Sequence, residues 1–435
     1  MTREAILKVI ANLRTDAERL ALGLDTLAEL ITAEAPAVPD PIPVPDPIPT
    51  PGPVPVPLPS PPANTGAGTA SDIQGIVDAA RNNRAQGVVV KDGTYPALTL
   101  SGLGAGPEFV IRAENPNGAF FPTIRVIGSP DVTFVDIKGC PDSDVPKKGI
   151  SMIVAADKAS PRVRWIGGMI SARADPDYLN MSLDLIRRSR WGHIRLEGDD
   201  CEVNGLRSVL GWKAIHMTGH RAIVRHTIAE GLTGDHINWV GHNCTIENNQ
   251  MTNFLEAQDK DHRDVGQQWP MFNLDGSRSA KPATGVVLGT IYRGNLCVDW
   301  QADPMHQMRG AGMGVNSHNP STRDCIIEDN EMWLSTFHGA HWVGVSNSSI
   351  QRNKFYYCDG PQIINATLKT SEGTLISANL DPLRHPRVLI TGSGNTVAGN
   401  VAGSLKVGGV EQVGQNGNLK PEYATAVRPR VASLY

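Results

Sequence analysis

One ten-residue pattern occurs three times between His193 and Asn249, and it limits the fold of this chain more than any other feature. Ile194-Arg-Leu-Glu-Gly198-Asp-Asp-Cys201-Glu-Val203 returns as Ile215-His-Met-Thr-Gly219-His-Arg-Ala222-Ile-Val224, and again as Ile237-Asn-Trp-Val-Gly241-His-Asn-Cys244-Thr-Ile246. The starts lie 21 and 22 residues apart. Each copy alternates apolar and polar residues, turns at a glycine and alternates again, so it reads as a two-strand unit with its apolar positions on one side. That period is too short for helix pairs and predicts an all-β solenoid of stacked rungs.

A solenoid lengthens along one axis, so 435 residues can form one long domain. The formal net charge of −4 argues against a basic phosphate-binding surface, and nucleic acid is not an expected partner. No apolar run reaches spanning length, so no membrane insertion is expected. The first residues carry acids and spaced polar positions where a secretory signal would have a continuous apolar core. Maturation in a reducing cytoplasm is the expectation. The six cysteines fit it: there is no C-x-x-C spacing, and Cys201, Cys244 and Cys325 each precede a strand residue (Val203, Ile246, Ile327) by two. They read as buried free thiols packing as small hydrophobes.

Residues 1–34 carry an unbroken heptad in which Ile6, Ile10, Leu13, Ala17, Leu20, Leu24, Leu27 and Ile31 alternate steps of four and three. Such a seam is what a coiled coil buries. From Pro36 to Pro62 a proline falls at nearly every second position, which makes that segment an extended polyproline spacer of roughly 80 Å at ~3.1 Å per residue, within a stalk of residues 35–70 that ends in a small polar joint. A helix held off its own body has no partner within the chain. It is expected to form a homo-oligomer, dimer or trimer, or to dock onto a larger particle.

Residues 71–87 then read as a short amphipathic helix with Ser71 as N-cap and Ile73, Ile76, Val77 and Ala80 on one face, covering the first open rung. Strand, turn and strand follow in Val88-Val-Val-Lys-Asp92-Gly93-Thr-Tyr95 and Leu98-Thr-Leu100. This V-x-x-x-D-G-x-Y after a helix, with the later [IV]-x-x-N turns, resembles right-handed parallel β-helix proteins of the pectin-lyase-like superfamily. With the helix and stalk in front, the whole resembles a tailspike or head spike of a tailed phage or phage-derived gene-transfer particle. The resemblance implies a β-helix over 88–408, a trimer, a place on the surface of a virion or phage-like particle and a bacterial surface polysaccharide as partner. Residues 409–435 lose the pattern and read as a cap or tail.

Asn249, Asn295, Asn330, Asn353 and Asn400 each stand three residues after an aliphatic or tyrosine strand position, at spacings of 46, 35, 23 and 47. These are one or two rungs each, the 35 including an insertion. A structural ladder at a solenoid corner is the expectation, since asparagine tolerates left-handed backbone and can bond its equivalent one rung on.

Chemistry on a solenoid must point outward or lie on corner insertions. Two insertions, 256–279 and 300–322, concentrate Asp, His, Gln and Trp, including Asp259, Asp261, His262, Arg263, Asp303, His306, Arg309 and His318. In register, with Val265 taken as the equivalent of Ile215 and Ile237, one edge stacks Lys213, Asp235 with His236, and Arg263 with Asp264. His216, Asn238 and Gln267 or Gln268 point outward beside it. Trp239, Trp269, His341 and Trp342 flank the stripe, where indoles would stack on sugar faces and amides bond hydroxyls.

Hydrolysis needs two carboxylates, and Asp235 with Asp264 is the best pair, with Asp261 or Asp303 as substitutes. Elimination needs a cation against a uronate and a base: Arg309 or Arg263 for the first, His236, His262 or Lys213 for the second. Asp199, Asp200, His220 and His242 fall on the glycine turn and are read as turn residues. His262, Asp264, His306 and His318 could be drawn into a metal set, but no local ligand motif supports one. No metal is assigned and no cofactor is expected, with a divalent cation such as calcium left open. Three functions stand: a spike that binds a polysaccharide and cleaves it as a lyase or hydrolase, a non-enzymatic adhesin, and a free bacterial polysaccharide lyase or hydrolase.

Overall fold

The computed structural model describes residues 68–143, 152–255, 264–269, 285–299 and 322–334, with shorter runs within 272–279, 313–317, 338–357 and 387–419. The chain divides into Met1–Pro57 and Leu58–Tyr435. The heptad segment and the proline stalk lie outside the described residues.

The second unit, Leu58–Tyr435, is a parallel β-helix. Among the described residues, a first sheet of twelve strands runs from Gly68–Ala70 to Thr396–Ala398, a second of ten from Gly93–Thr94 to Lys354–Tyr357, and a third of twelve from Leu98–Ser101 to Ser404–Val407 and Val410–Glu411. Neighbouring strands are parallel except the last pair, where Val410–Glu411 folds back antiparallel on Ser404–Val407. The repeats lie in the register expected of them, with Ile194 beside Ile215 beside Ile237, and Val203 beside Val224 beside Ile246.

Among the described residues the rungs of the repeat have three strands rather than two, and a short fourth sheet of Val287–Leu288, Thr322–Arg323 and Val345–Ser346 is added in three later rungs. Arg207–Gly211, Ile228–Leu232 and Gln250–Thr252 form the second sheet between successive copies of the motif. Their alternation is hidden because both faces are buried. The inward Ser208 and Ala229 meet the core, while Val209 and Glu230 on the outside lie under an excursion of the chain. Within that excursion, which the repeat spacing does not announce, Tyr178, Met181 and Ile186 pack on Val209, Leu210, Val298 and Trp333. A short helix, Leu183–Arg188, forms part of it, capped by Ser182. Gly231, at φ +65°, leaves room for the Tyr178 ring, which an added Cβ would meet at 2.6 Å.

The helix at the head of the stack, α1, spans Ile73–Asn82 and buries Ile76 and Ala80. Its N-cap is Asp72, whose Oδ1 accepts the Gly75 N–H at 2.7 Å, and not Ser71. Ala70 is drawn into the stack instead, because Gly68–Ala70 pairs with Val88–Val90 as an extra first strand.

Two columns explain the repeated residues. Gly198, Gly219 and Gly241 pack backbone on backbone: a Cβ on Gly219 or Gly241 would stand 1.9 Å from the carbonyl oxygen of the glycine one rung before. Around them Asp199 accepts the His220 N–H and Asp200 pairs with Arg221, so these are turn residues as expected. The asparagine column runs inside. Asn249 donates to Asn295, Asn295 to Asn330, Asn330 to Asn353 and Asn353 to Asn400, all at 2.8–3.0 Å, and Asn418 continues it beyond the predicted set. The left-handed backbone belongs to the residue before each asparagine (Asn248, Gly294, Asp329, Arg352 and Gly399), not to the ladder residue itself.

Cys140, Cys201, Cys244, Cys297 and Cys325 are free and buried. Burial raises the thiols of Cys201 and Cys244 to about 12, which leaves them inert as nucleophiles. Among the described residues no helix is long and apolar enough to cross a membrane.

Candidate functional site

The third sheet stacks chemistry on its outer face in two adjacent columns. In the first, Lys213, Asp235 and Asp264 occupy equivalent positions in three successive rungs, each two residues before the aligned trio Ile215, Ile237 and Gly266. In the second, three residues on, His216, Asn238 and Gln267 are neighbours, and the register continues to Asn316 and His341.

The two columns are tied together by the same bond in two successive rungs. Asn238 Nδ2 donates to Asp235 Oδ2 at 3.1 Å, and Gln267 Nε2 donates to Asp264 Oδ2 at 2.9 Å. Asp235 also accepts the Lys213 ammonium on Oδ2 at 2.8 Å and the Asp264 backbone N–H on Oδ1 at 3.1 Å. Three donors on one carboxylate hold it in place. Asp235 is 5 % exposed, Asp264 0 %, and Asn238 and Gln267 2 % each.

The amides end differently. Gln267 Oε1 accepts the indole N–H of Trp269 at 2.8 Å, which fixes the ring of an exposed tryptophan. Asn238 Oδ1 is buried and has no partner. At the other end of the column His216 is half-buried. Its imidazole is lowered to about 4, first by burial and then by Arg195 and Lys213, so it is neutral at pH 7.

Several expected site residues are placed elsewhere. His236 points into the core, fully buried and stacked on Phe254 at 4.0 Å. Burial holds its imidazole down at about 3, which removes it as an accessible base. Trp239 is also inside, 1 % exposed and stacked on Tyr292 at 5.6 Å, so it is no sugar platform. Gln268 follows Trp239 in register and turns inward, donating to Thr290 Oγ1 at 3.0 Å.

For Gln268 the cause is one residue of register; His236 and Trp239 lie in the rung before, where Trp239 shares the inward face of Ile237. Gly266, not Val265, stands opposite Ile237. An inward glycine is unexpected in an apolar column, but a Cβ there would lie 3.2 Å from the Trp239 ring and 3.3 Å from the Tyr292 hydroxyl. The two aromatic rings fill the place of the missing side chain.

His262, Arg263, Arg309, Asp261, Asp303, His306 and His318 lie outside the described residues. His341 and Trp342 are described as strand positions only, opposite Asn316 and Ser317. Asp264 is therefore the one member of the considered metal set that is described. Among the described residues no group of three His, Cys, Asp or Glu is placed to hold a metal ion.

Trp212 belongs to the same edge and was not anticipated. Lys213 Nζ lies 4.8 Å from its ring centroid and the Arg190 guanidinium 5.8 Å. Its indole occupies the space a Cβ on Gly234 would need, 2.7 Å from Cδ1. The available signal was that glycine, standing one rung on from Trp212.

The turn histidines hold part of the first insertion. His242 Nε2 bonds the Asn273 carbonyl at 2.8 Å and His220 Nε2 the Gly276 carbonyl at 3.3 Å, with Phe272 packed against both rings.

No family model and no curated protein matches the chain. Solved structures do. The tailspike protein of an E. coli bacteriophage, in complex with a pentasaccharide, matches at 8 % identity over 77 % of this chain and 66 % of its own, with a TM-score of 0.42. An alginate lyase from a Paenibacillus species matches at 11 % identity over 66 % of this chain and 93 % of its own, TM-score 0.42. A mannuronic acid specific polysaccharide family 6 lyase from human gut microbiota matches at 15 % identity over 76 % of each chain, TM-score 0.37. These likenesses reach no further than a shared arrangement of strands.

Proposed function

We propose that this chain is a spike of a virion or phage-like particle whose β-helix engages a bacterial surface polysaccharide along the outer face of the third sheet. The supporting observation is the paired outer columns, Lys213–Asp235–Asp264 beside His216–Asn238–Gln267, ending at the exposed and hydrogen-bonded Trp269. Equivalent polar groups repeat at the rung spacing of about 4.8 Å, which suits an extended repeating polymer. An indole at the end of the row supplies a stacking face. Residues 1–34 would hold the particle or assemble the oligomer, a trimer by resemblance, and the proline stalk would carry the β-helix outward. The reading uses no cofactor and leaves calcium open.

A second reading, cleavage of the bound glycan, is favoured by two carboxylates one rung apart. Asp235, already holding three donors, would be the fixed partner, and Asp264 would be the reacting group. Elimination loses its nearest base with His236 in the core, and Lys213 is engaged by Asp235.

The test is incubation of the full chain with purified surface polysaccharides of candidate hosts. Binding without products supports the adhesin, and new reducing ends abolished by Asp264→Asn support the hydrolase. Unsaturated uronates would point to a lyase, and no binding to any surface polysaccharide would overturn the whole reading. Particle incorporation unchanged by deletion of residues 1–34 would remove the attachment role.

A further inference from the structure

The two carboxylate–amide pairs of the outer columns are built alike and completed differently. In one rung Gln267 gives its N–H to Asp264 and takes the Trp269 indole N–H on its oxygen. In the rung before, Asn238 gives its N–H to Asp235, and its oxygen takes nothing. The amide cannot be turned over to cure this, because the flipped group would set Oδ1 against the Asp235 carboxylate. A buried acceptor with no donor, on a side chain only 2 % exposed, is costly, on the scale of a lost hydrogen bond or more.

We propose that the row His216–Asn238–Gln267, with Trp269 at its end, is a subsite for an uncharged or amine-bearing sugar unit whose O–H or N–H is accepted by Asn238 Oδ1. This rests on the polysaccharide reading and adds the class of sugar. An acceptor oxygen selects a donor and turns away a carboxylate or sulfate oxygen. All three side chains of the row are uncharged at pH 7, since the half-buried His216 is neutral there. The two cations beside the row are engaged by carboxylates, Lys213 by Asp235 and Arg195, level with His216, by Glu197. Trp269 stands two residues beyond Gln267, its ring fixed by that amide, where it can cover the apolar face of the same unit. His216 is half-buried and Trp269 exposed, so the row is open at both ends while the amides are screened between them.

The experiment is an array of purified bacterial surface polysaccharides probed with the full chain and with Asn238→Leu and Trp269→Ala. Any acidic polysaccharide that binds is also presented after its carboxylates have been reduced to alcohols. The expected result is binding to glycans with neutral or amino sugars, retained after carboxyl reduction, and weakened about tenfold by N238L. Binding abolished by carboxyl reduction of the glycan would overturn the proposal using the unaltered protein, whatever N238L does to folding. Undiminished binding by a folded N238L would overturn it too. If W269A loses binding while N238L keeps it, the sugar class falls and the polysaccharide reading stands. If both variants bind as the parent does, the subsite falls while polysaccharide binding stands, and if the parent binds no polysaccharide, both fall together.

Discussion

Two columns of amides run along this molecule, one inside the first rung corner and one outside the third sheet, and they are completed to different degrees. In the inner column the oxygens of Asn295, Asn330, Asn353, Asn400 and Asn418 each accept two N–H groups from the asparagine before, and from Asn249 to Asn400 each amide N–H pair is divided between the next asparagine and a strand carbonyl of the rung before. For Asn330 the donors come from Asn295, and its own N–H groups go to Asn353 on one side and to the Tyr292 carbonyl on the other. In the outer column Gln267 is bonded at both ends and Asn238 at one. The same mechanism, repetition of a residue at the rung spacing, makes both. A closed column stabilises the fold, and a column with an open acceptor costs stability and is poised to take a ligand.

The sharpest way to break this contrast is to delete one member of each column. Asn330→Ala is expected to cost about 3–5 kcal/mol, because it strands buried partners on both neighbouring rungs. Asn238→Leu is expected to cost under about 1 kcal/mol, since Asp235 keeps Lys213 and a backbone N–H. Chemical denaturation measures both. Equal losses would remove the distinction between the columns.

Buried histidines offer the next largest effect. His193 bonds Ser208 and the Leu210 carbonyl, while His236 has no partner at either nitrogen, and burial holds them at about 4 and about 3. Each stays neutral in the fold, whereas the unfolded chain takes up a proton below about 6.5. Stability is therefore complete above pH 6.5 and falls as pH drops toward 4, by about 3 kcal/mol for each imidazole. Denaturation midpoints between pH 7 and pH 4 report it, and His236→Phe should flatten the slope. A slope unchanged in that variant would mean that His236 is protonated in the fold.

A closed outer network provides a smaller comparison. On the second sheet Tyr178 Oη donates to the buried Glu230 at 3.0 Å and accepts from Asn253 at 2.8 Å, with Arg207 on the other Glu230 oxygen. Tyr178→Phe is expected to cost about 2 kcal/mol and leave glycan binding unchanged. A loss of binding in that variant would extend the functional surface beyond the third sheet. Trp269→Ala, at the exposed end of the row, is expected to shift stability by no more than about 0.5 kcal/mol while weakening glycan binding about tenfold.

The rung period, the glycine turn and the inner ladder were legible because each is enforced at every repeat by close packing or by a buried amide. Lys213, Asp235 and Asn238 were legible as positions for the same reason, while Asp264 was set one position off by taking Val265 as the equivalent of Ile237. The third strand was not, because Arg207–Gly211 is buried on both faces and shows no alternation. Gln268 was misplaced by a rule that an inward position holds an apolar side chain, which Gly266 breaks where two aromatic rings fill the space, whereas Trp239 simply shares the face of the inward Ile237 and His236 is packed on Phe254. The excursion over the second sheet carries no repeat, so nothing in the spacing could announce that Tyr178 would cover Glu230.

The most direct test is a crystal structure of the full chain with an oligosaccharide from a polysaccharide it binds. A sugar unit over the third sheet between His216 and Trp269, with a donor within hydrogen-bond distance of Asn238 Oδ1, is the expected result. A glycan seated on the first or second sheet, with Asn238 Oδ1 still unpartnered, would contradict it.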